Sequence, residues 1–226
     1  MRLNNKLYEN QGVHVISSIF TVENGKTKVL LIKRKNDPYK DMWALVGGAL
    51  YNNETLDNGV KREIEEKSGL KNIELHQFGV YDELGLTNET NMRMISIGYL
   101  AVVDSKKAEI IKENRTTLDA EWFDIDNIPK LAFKHNEILN GALTKLKELI
   151  VQTNILKSLL PSEFTMPELQ KIFEGILNKE FDRRNFRKKI ISLGVVEDTN
   201  KEVNLNGKRP AKLYKFKNKI EVKKVL

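Results

Sequence analysis

Residues 48–70 read GALYNNETLDNGVKREIEEKSGL and indicate a glycine-containing turn followed by a single helix. A short apolar strand, Trp43–Val46, comes before them and ends at the loop pair Gly47-Gly48. The helix ends at Gly69, because glycine readily takes the left-handed conformation that follows a helix C-terminus. The order of strand, glycine loop, helix and glycine stop therefore predicts an α/β element around this segment.

The charged residues of the predicted helix are spaced to meet on one side. Glu63, Glu66 and Lys67 are related by steps of three and four residues, which places them on one strip of a helix. Arg62 precedes them directly. Taken alone, the four charges within residues 62–66 are more typical of a solvent-exposed helical face than of a functional site. The residues around them favour the second interpretation.

The whole segment resembles the Nudix box, whose pattern is glycine, five residues, glutamate, seven residues, and then Arg-Glu-aliphatic-any-Glu-Glu-any-Gly-aliphatic. The pattern starts at Gly48 and ends at Leu70, and all but one of its fixed positions match. The resemblance implies a Nudix α/β/α sandwich and an enzyme class that cleaves nucleoside diphosphates linked to another group. In that class, box glutamates hold a divalent metal that neutralises the pyrophosphate and positions water.

The resemblance also implies roles for individual residues. Arg62, Glu63 and Glu66 would form the catalytic set, with Glu63 and Glu66 as ligands of Mg²⁺ or Mn²⁺ and Arg62 orienting the carboxylates. Arg34 and Trp43 flank the glycine pair in sequence and are candidates for phosphate charge and for stacking, although structural roles suit them equally. The candidate effector-binding residues are Arg34, Trp43, Gly47, Gly48 and Glu54.

The one departure from the pattern is Lys67, which stands where the Nudix box has the second glutamate of its pair. An ammonium group at this position removes an oxygen ligand and repels a divalent cation. Lys67 follows Glu63 by four residues, the favourable order for a helical ion pair. We therefore expect Lys67 to act as an internal cation that weakens binding of Mg²⁺ or Mn²⁺ and removes most hydrolysis.

The distribution of charge separates the chain into two parts. Its 226 residues carry a net charge of +7, made up of −1 over residues 1–150 and +8 over residues 151–226. A basic excess confined to the end of the chain favours a domain that meets a polyanion. We therefore predict two domains, residues 1–152 and residues 153–226.

Composition excludes several classes of protein. With 40% apolar and 31% charged residues the chain can bury a core, and the absence of cysteine excludes disulfides, thiolate metal sites and a cysteine nucleophile. The longest aliphatic run, Val29–Ile32, is far too short to cross a membrane. These features predict a cytoplasmic protein with no membrane partner.

Strands and helices mix within the first 150 residues, which predicts an α/β fold. The turn Glu23-Asn24-Gly25 is typical of a β-hairpin. The predicted strands are Val13–Phe20, Lys28–Lys33, Leu75–Val80, Met94–Val102 and Glu121–Asp124, and the predicted helices are Thr55–Ser68 and Asn136–Val151.

The basic C-terminal part predicts two helices joined by a short turn. Thr165 and Glu168 have the capping-box spacing, and apolar residues recur at helical intervals up to Ile176. Asp182 can cap a second helix, in which residues 183–189 carry five positive charges and no acid. This arrangement is typical of helix-turn-helix domains, whose second helix enters the major groove of DNA.

The end of the chain predicts a β-hairpin. Val195–Glu197 and Leu213–Phe216 can pair around a polar tip, Asn200–Lys212, which completes a winged helix-turn-helix domain. Basic residues at such a tip reach phosphates or the minor groove, so these features favour double-stranded DNA over RNA or a protein partner. The predicted DNA-contacting residues are Arg183, Arg184, Asn185, Arg187 and Lys188 in the helix and Lys208, Arg209 and Lys212 in the hairpin.

A Nudix domain followed by a basic winged helix resembles the Nudix-related transcriptional regulators over nearly the full chain. The resemblance implies a homodimeric repressor whose degenerate Nudix domain senses ADP-ribose or a related metabolite and controls genes of NAD or sugar metabolism. His135 is interpreted as a packed or surface residue rather than a ligand contact. The segments that carry the resemblance are Leu131–Leu139, Leu159–Gln170, Asp182–Ile190 and Arg209–Tyr214.

A second interpretation stays open at this point. The chain could be an active ADP-ribose or nucleotide-sugar pyrophosphatase that depends on Mg²⁺ or Mn²⁺, with its C-terminal part as an accessory module. Lys67 and the basic C-terminal part favour the regulator over the enzyme. The two interpretations differ in whether AMP is released from ADP-ribose and whether the protein binds DNA.

Overall fold

The computed structural model of the protein describes residues 11–84, 93–204 and 210–217, which form two compact units. Of the described chain, the first unit holds residues 11–20, 28–84, 93–101 and 106–143. The second unit holds residues 21–27, 102–105, 144–204 and 210–217. The domain boundary after residue 152 stays a prediction.

A seven-stranded sheet is the framework of the first unit, with strands in the order β3-β2-β1-β6-β5, β4 paired to β1 and β7 paired to β2. The strands are β1 (Gln11–Glu23), β2 (Lys26–Arg34), β3 (Trp43–Ala44), β4 (Val46–Ala49), β5 (His76–Glu83), β6 (Arg93–Val102) and β7 (Thr117–Asp124). The helices are α1 (Leu56–Ser68) and α2 (His135–Gln152). The predicted mixture of strands and helices is confirmed. None of the helices in the described ranges is long and apolar enough to cross a membrane.

Strands β1 and β2 provide the core of this sheet. Val15 and Ile19 of β1 and Leu30 and Leu31 of β2 have no exposed surface. Burial covers consecutive residues along both strands rather than alternate ones. Consecutive burial means that both faces of the sheet are covered, as a layered α/β fold requires.

Helix α1 begins and ends where its local sequence directs. The hydroxyl oxygen of Thr55 accepts a hydrogen bond from the backbone N–H of Asn58, and Gly69 follows the last turn in the left-handed conformation with φ 77°. The predicted glycine stop is therefore confirmed. Val60 and Ile64 of this helix are buried, whereas Leu56 at its start is only half-buried.

The glycine pair does not form the predicted loop. Gly47 and Gly48 lie inside strand β4, where they pair with Ile16 and Val15 of β1. The predicted strand over Trp43–Val46 is likewise divided between β3 and β4. The division falls at Leu45, whose backbone N–H donates to the Nδ1 atom of His135 rather than to a neighbouring strand.

The second unit contains a pair of helices and a small sheet. The elements are β8 (Phe164–Thr165), α3 (Met166–Leu177), α4 (Arg183–Leu193), β9 (Val196–Val203) and β10 (Ala211–Phe216), with the strands in the order β8-β10-β9. Helix α3 begins at the predicted capping box, because the Glu168 carboxylate accepts from the N–H and the hydroxyl of Thr165 at 2.7 and 2.8 Å.

The hairpin strands are longer than the sequence predicts. Strand β9 continues to Val203 and β10 begins at Ala211, so the residues at both ends of the predicted tip belong to strands. The polar composition of residues 200–212 is typical of a turn, and local sequence does not show which residues pair with a neighbouring strand. The central tip, residues 205–209, lies outside the described residues.

Candidate functional site

Arg62, in the middle of α1, holds two carboxylates in place, those of Glu54 just before the helix and of Glu63 within it. Its Nη2 and Nε atoms donate to the two oxygens of Glu54 at 2.6 and 2.9 Å, and its Nη1 atom donates to Oε1 of Glu63 at 2.7 Å. The guanidinium carbon lies 3.8 Å from the centroid of the Tyr51 ring. The hydrogen bonds between Arg62 and Glu54 lower the pKa of the Glu54 carboxyl and raise the pKa of Arg62. Arg62 therefore positions these carboxylates.

Lys67 lies on the other side of Glu63. Its Nζ atom is 3.0 Å from Oε2 of Glu63, and it also donates a hydrogen bond to the backbone carbonyl oxygen of Gly47. The Glu63 residue is 6% exposed. At Gly48, a Cβ atom would lie 2.6 Å from the carboxyl carbon of Glu63, so any side chain there would displace this carboxylate. Glu63 is thus a buried carboxylate held between two cations.

This arrangement does not fit a divalent metal, although Nudix domains in general use Mg²⁺ or Mn²⁺. Both oxygens of Glu63 face cations, and Oε2 of Glu66 lies 3.6 Å from Nη1 of Arg62. Glu65 is paired with Lys71, at 2.7 Å between Oε1 and Nζ. Within the described ranges, no group of three or more histidine, aspartate or glutamate side chains is placed to hold a metal ion.

A cavity of about 290 Å³ opens beside Lys67. It lies wholly within the first unit. Arg34, Gly47 and Gly48, three of the five predicted effector-binding residues, line it. The other lining residues with polar side chains or aromatic rings include Tyr81, Asp82, Glu83, Ser96, Phe133 and Lys134.

Trp43 and Glu54, the other two predicted effector-binding residues, are not among the residues that line the cavity. The Trp43 ring packs against Phe123, with ring centroids 4.6 Å apart. Strand β2 pairs with both β3 and β7, which brings these two rings together and uses the surface proposed for stacking on a ligand. The Oε1 atom of Glu54 accepts hydrogen bonds from Nη2 of Arg62 and from the backbone N–H of Tyr51.

Arg34 presents a positive charge to the cavity from a fixed position. Its Nε atom donates to the carbonyl oxygen of Pro38 at 2.9 Å, and its guanidinium carbon lies 4.8 Å from the centroid of the Phe133 ring. Burial lowers the pKa of Arg34, but arginine stays protonated in proteins. Arg34, Lys67 and Lys134 bring three positive charges to the lining, against the two carboxylates of Asp82 and Glu83, so the cavity is better suited to an anionic than to a cationic ligand.

Two histidines, His14 and His135, also line the cavity. His14 was not among the site residues predicted from the sequence. His14 lies in β1 and His135 begins α2. Burial, followed by the charge of Lys67, lowers the pKa of His14 to about 4. Burial, followed by the charge of Arg34, lowers the pKa of His135 to about 3. Both imidazoles are therefore neutral at pH 7, and only the folded sheet brings them to one cavity.

Helix α4 carries a basic exposed surface in the second unit. The Oδ1 atom of Asp182 accepts from the backbone N–H groups of Arg184 and Asn185 at 3.1 and 3.0 Å, so the predicted N-cap is confirmed. Phe186 and Ile190 of this helix are buried. The predicted DNA-contacting residues of this helix, Arg183, Arg184, Asn185, Arg187 and Lys188, are all exposed.

Of the three predicted DNA-contacting residues of the hairpin, the structure describes Lys212. Lys212 lies within β10, with its Nζ atom 3.0 Å from Oδ2 of Asp198 on the neighbouring strand. Lys215 is paired in the same way with Glu197. Lys208 and Arg209 lie outside the described residues. In the described part of the hairpin, Lys212 thus already has an acidic partner.

Comparisons with protein families match both parts of the chain. Residues 13–142 match the NUDIX domain, and residues 156–216 match the NrtR DNA-binding winged helix domain. The chain is 32% identical over 213 residues to the ADPR responsive transcriptional repressor NtrR of Acinetobacter baylyi, which covers 92% of this chain and 83% of that protein.

Two further similarities are to an enzyme and to a structure with bound DNA. The chain is 38% identical over 112 residues to the ADP-ribose pyrophosphatase of Methanocaldococcus jannaschii, which covers 50% of this chain and 63% of that enzyme. The crystal structure of Shewanella oneidensis NrtR complexed with a 27mer DNA matches with a TM-score of 0.74 and 25% identity, over 91% of this chain and 93% of that chain.

Fold and comparisons together define a class of protein, in which a Nudix domain is fused to a winged helix DNA-binding domain. The chain belongs to the Nudix-related transcriptional regulators of the NrtR type. The predicted fold class and family resemblance are confirmed.

Proposed function

We propose that this chain is a transcriptional repressor that binds a two-fold DNA operator and releases it when its Nudix domain binds ADP-ribose or a related nucleoside diphosphate. The similar A. baylyi protein is described as an ADPR-responsive repressor, and the similar S. oneidensis protein was crystallised with DNA. In this chain, the exposed basic side of α4 suits a DNA backbone, and the cationic cavity suits a pyrophosphate.

The observation that carries this proposal is the ion pair between Lys67 and Glu63, at 3.0 Å between Nζ and Oε2. The internal ammonium group neutralises a carboxylate that the Nudix box reserves for metal, so this carboxylate does not need a divalent cation. The ligand is therefore held without a metal-bound water to attack it. A protein that binds a nucleoside diphosphate and leaves it intact is suited to sensing rather than hydrolysis.

The DNA contacts proposed for the second domain come chiefly from α4. A helix whose buried side packs on its own domain and whose other side is basic can enter the major groove. Lys212 contributes less, because Asp198 neutralises it. The proposed contacts are Arg183, Arg184, Asn185, Arg187 and Lys188 of α4, with Lys208 and Arg209 of the hairpin as sequence-based candidates.

The proposed regulator is a cytoplasmic homodimer with a Nudix-like domain over residues 1–152 and a DNA-binding domain over residues 153–226. Two copies of α4 would read a two-fold operator, and the effector would change their spacing. A change from almost fully bound to almost fully free DNA requires a preference of about 10⁴-fold, or ~5.5 kcal/mol, for the released state.

The proposal is tested by measuring both activities on the same purified protein. Gel-shift assays with DNA from upstream of its own operon should show a complex that ADP-ribose dissociates, both with Mg²⁺ and with EDTA. AMP release from ADP-ribose should stay near background with Mg²⁺ or Mn²⁺. Fast AMP release without any DNA complex would establish the alternative, a pyrophosphatase, which the similarity to the M. jannaschii enzyme favours.

A further inference from the structure

His135 is fixed in the wall of the cavity by one hydrogen bond. The backbone N–H of Leu45, at the break between β3 and β4, donates to Nδ1 of His135 at 3.0 Å in a buried position. The histidine is 6% exposed, and its ring centroid lies 5.3 Å from that of Phe133. The orientation of the imidazole is therefore set by backbone and packing rather than by a ligand.

The same hydrogen bond determines where the proton of the ring lies. Burial lowers the pKa of His135 to about 3, so the ring is neutral at pH 7 and carries a single N–H. Because Nδ1 accepts from Leu45, that proton is on Nε2. Among the described residues, no acceptor is bonded to Nε2. The ring thus keeps an unpaired donor in a residue that lines the cavity.

We propose that His135 is a specificity-determining residue, whose Nε2–H donates a hydrogen bond to a phosphoryl oxygen of the bound nucleoside diphosphate. Arg34 stacks on the same Phe133 ring and, with Lys67, lines the same cavity, so an anion drawn to these two cations comes within the reach of this donor. This inference rests on the proposed effector site. It adds to that site an uncharged donor of fixed direction.

An uncharged donor has a role that the cations cannot perform. Arg34 and Lys67 attract any anion and lose strength as salt rises. A neutral N–H adds no net charge, so it discriminates by the position of an acceptor oxygen. Loss of this donor should weaken binding of the fitting ligand and leave the salt dependence of binding unchanged.

The competing explanation is that His135 serves only to satisfy the Leu45 N–H. The variant His135→Asn separates the two roles, since the asparagine carbonyl oxygen can stand in for Nδ1 as the acceptor, while no atom replaces Nε2. The variant His135→Gln extends further and can return an amide N–H toward the Nε2 position. His76→Asn is a matched control, because His76 lies on β5 and is not among the residues that line the cavity.

The experiment measures binding of ADP-ribose to the full-length chain by calorimetry, with operator binding measured in the absence of effector. We expect His135→Asn to weaken ADP-ribose binding about 10-fold or more, as loss of a hydrogen bond to a charged group implies. The salt slope, the operator affinity and the melting temperature should stay close to wild type. His135→Gln should recover part of the loss, and His76→Asn should bind normally.

A spectroscopic measurement gives a readout that a purely structural histidine would not produce. Long-range ¹H–¹⁵N spectra should assign the proton of His135 to Nε2, and the Nε2 resonance should shift on addition of ADP-ribose. If wild type binds ADP-ribose and His135→Asn binds it equally well, the inference about His135 is wrong while the proposed effector stands. If wild type does not bind ADP-ribose, the proposed effector and this inference are both overturned.

Discussion

The ammonium nitrogen of Lys67 lies 3.0 Å from a carboxylate oxygen of Glu63, one turn away along the same helix. In the Nudix box, position 67 belongs to a glutamate, and the pair would be two acids that share a metal. Here the same two positions form a neutral pair with 14% and 7% side-chain exposure. Lys67 therefore places a positive charge beside Glu63 at the position where the box has a second acid.

The first prediction is that Lys67→Glu restores metal-dependent chemistry. The change removes the internal cation and returns the third acid of the box, so excess negative charge would again favour a divalent ion. We expect AMP release from ADP-ribose in Mg²⁺ to rise at least ~10-fold above wild type, measured by chromatography of the products.

Lys71→Glu is the matched control for this change. It reverses an equal charge on an exposed lysine whose partner, Glu65, lies outside the Arg62 and Glu63 cluster. Lys71→Glu should leave AMP release at the wild-type level. If the Lys67→Glu variant is folded and binds Mg²⁺ but shows no increase in AMP release, the role assigned to Lys67 is wrong.

The second prediction concerns the recognition of DNA by α4. Replacing Arg184 or Arg187 with alanine removes an exposed charge from its basic side, so each change should weaken operator binding. The slope of log K against log salt should also become shallower, by about 0.9 for each phosphate that the variant no longer neutralises. Fluorescence anisotropy over a series of salt concentrations measures both quantities.

Two lysine variants serve as controls for the arginine variants. Lys147→Ala removes a charge from an exposed position of α2 and should have little effect on either quantity. Lys212→Ala should weaken binding less than Arg184→Ala, because Asp198 already neutralises Lys212. A larger loss from Lys212→Ala than from Arg184→Ala would place the main contact in the hairpin instead.

The third prediction concerns the turn that connects α3 to α4. The Oε1 atom of Glu174 accepts from Nε2 of Gln170 at 2.8 Å and from the backbone N–H of Phe181 at 3.0 Å, and these bonds lower the pKa of its carboxyl. Glu174→Ala should loosen the start of α4 and cost about 1–2 kcal/mol of stability, measured by urea unfolding.

Operator binding reports on the same turn. We expect Glu174→Ala to weaken it several-fold at temperatures where the protein is still folded, because α4 loses its fixed orientation. Glu174→Gln keeps an oxygen acceptor for the Phe181 N–H and should fall between wild type and alanine. Equal behaviour of all three proteins would show that this carboxylate does not orient the helix.

The fourth prediction is a dependence of stability on pH caused by His135. Its folded-state pKa of about 3 is below the ordinary 6.5, so the unfolded chain binds an additional proton between these values. The contribution to stability is therefore complete above pH 6.5 and falls as the pH drops toward 3. Between pH 7.5 and pH 5 the loss from this group should be about 2 kcal/mol.

Urea unfolding of wild type and His135→Asn at both pH values measures this effect. The carboxylates of the chain titrate in both proteins, so the difference between the two isolates the histidine. Wild type should lose about 2 kcal/mol more than His135→Asn over this interval. Parallel losses would mean that His135 titrates near its ordinary pKa in the folded chain.

Local sequence was sufficient to predict α1, α3 and α4, because their boundaries depend on neighbouring residues. Gly69, the box of Thr165 and Glu168, and Asp182 each act within one helical turn of their own position. The ion pair of Lys67 with Glu63 was predictable for the same reason, since residues four apart lie next to each other on one face of a helix.

Strand pairing was the point at which local prediction failed. Gly47 and Gly48 have the composition of a loop, yet they pair with β1 as a strand. A Cβ atom at Gly47 would collide with the backbone of Val15 and Ile16, and one at Gly48 would collide with the Glu63 carboxylate. The sequence made Trp43 a plausible stacking residue, but in the fold its ring packs against Phe123, because β3 and β7 both pair with β2. Lys212 similarly meets Asp198 only because β9 and β10 pair.

The order of residues alone specifies the chemistry that the chain carries: the Nudix box with a lysine at position 67, the capped helices and the excess of positive charge near its end. The choice of which groups share a cavity belongs to the fold, since His14, Arg34, Lys67 and His135 come from separate elements. Spacing along the chain fixes neighbours within a helical turn, whereas burial and hydrogen bonding between strands select the distant ones.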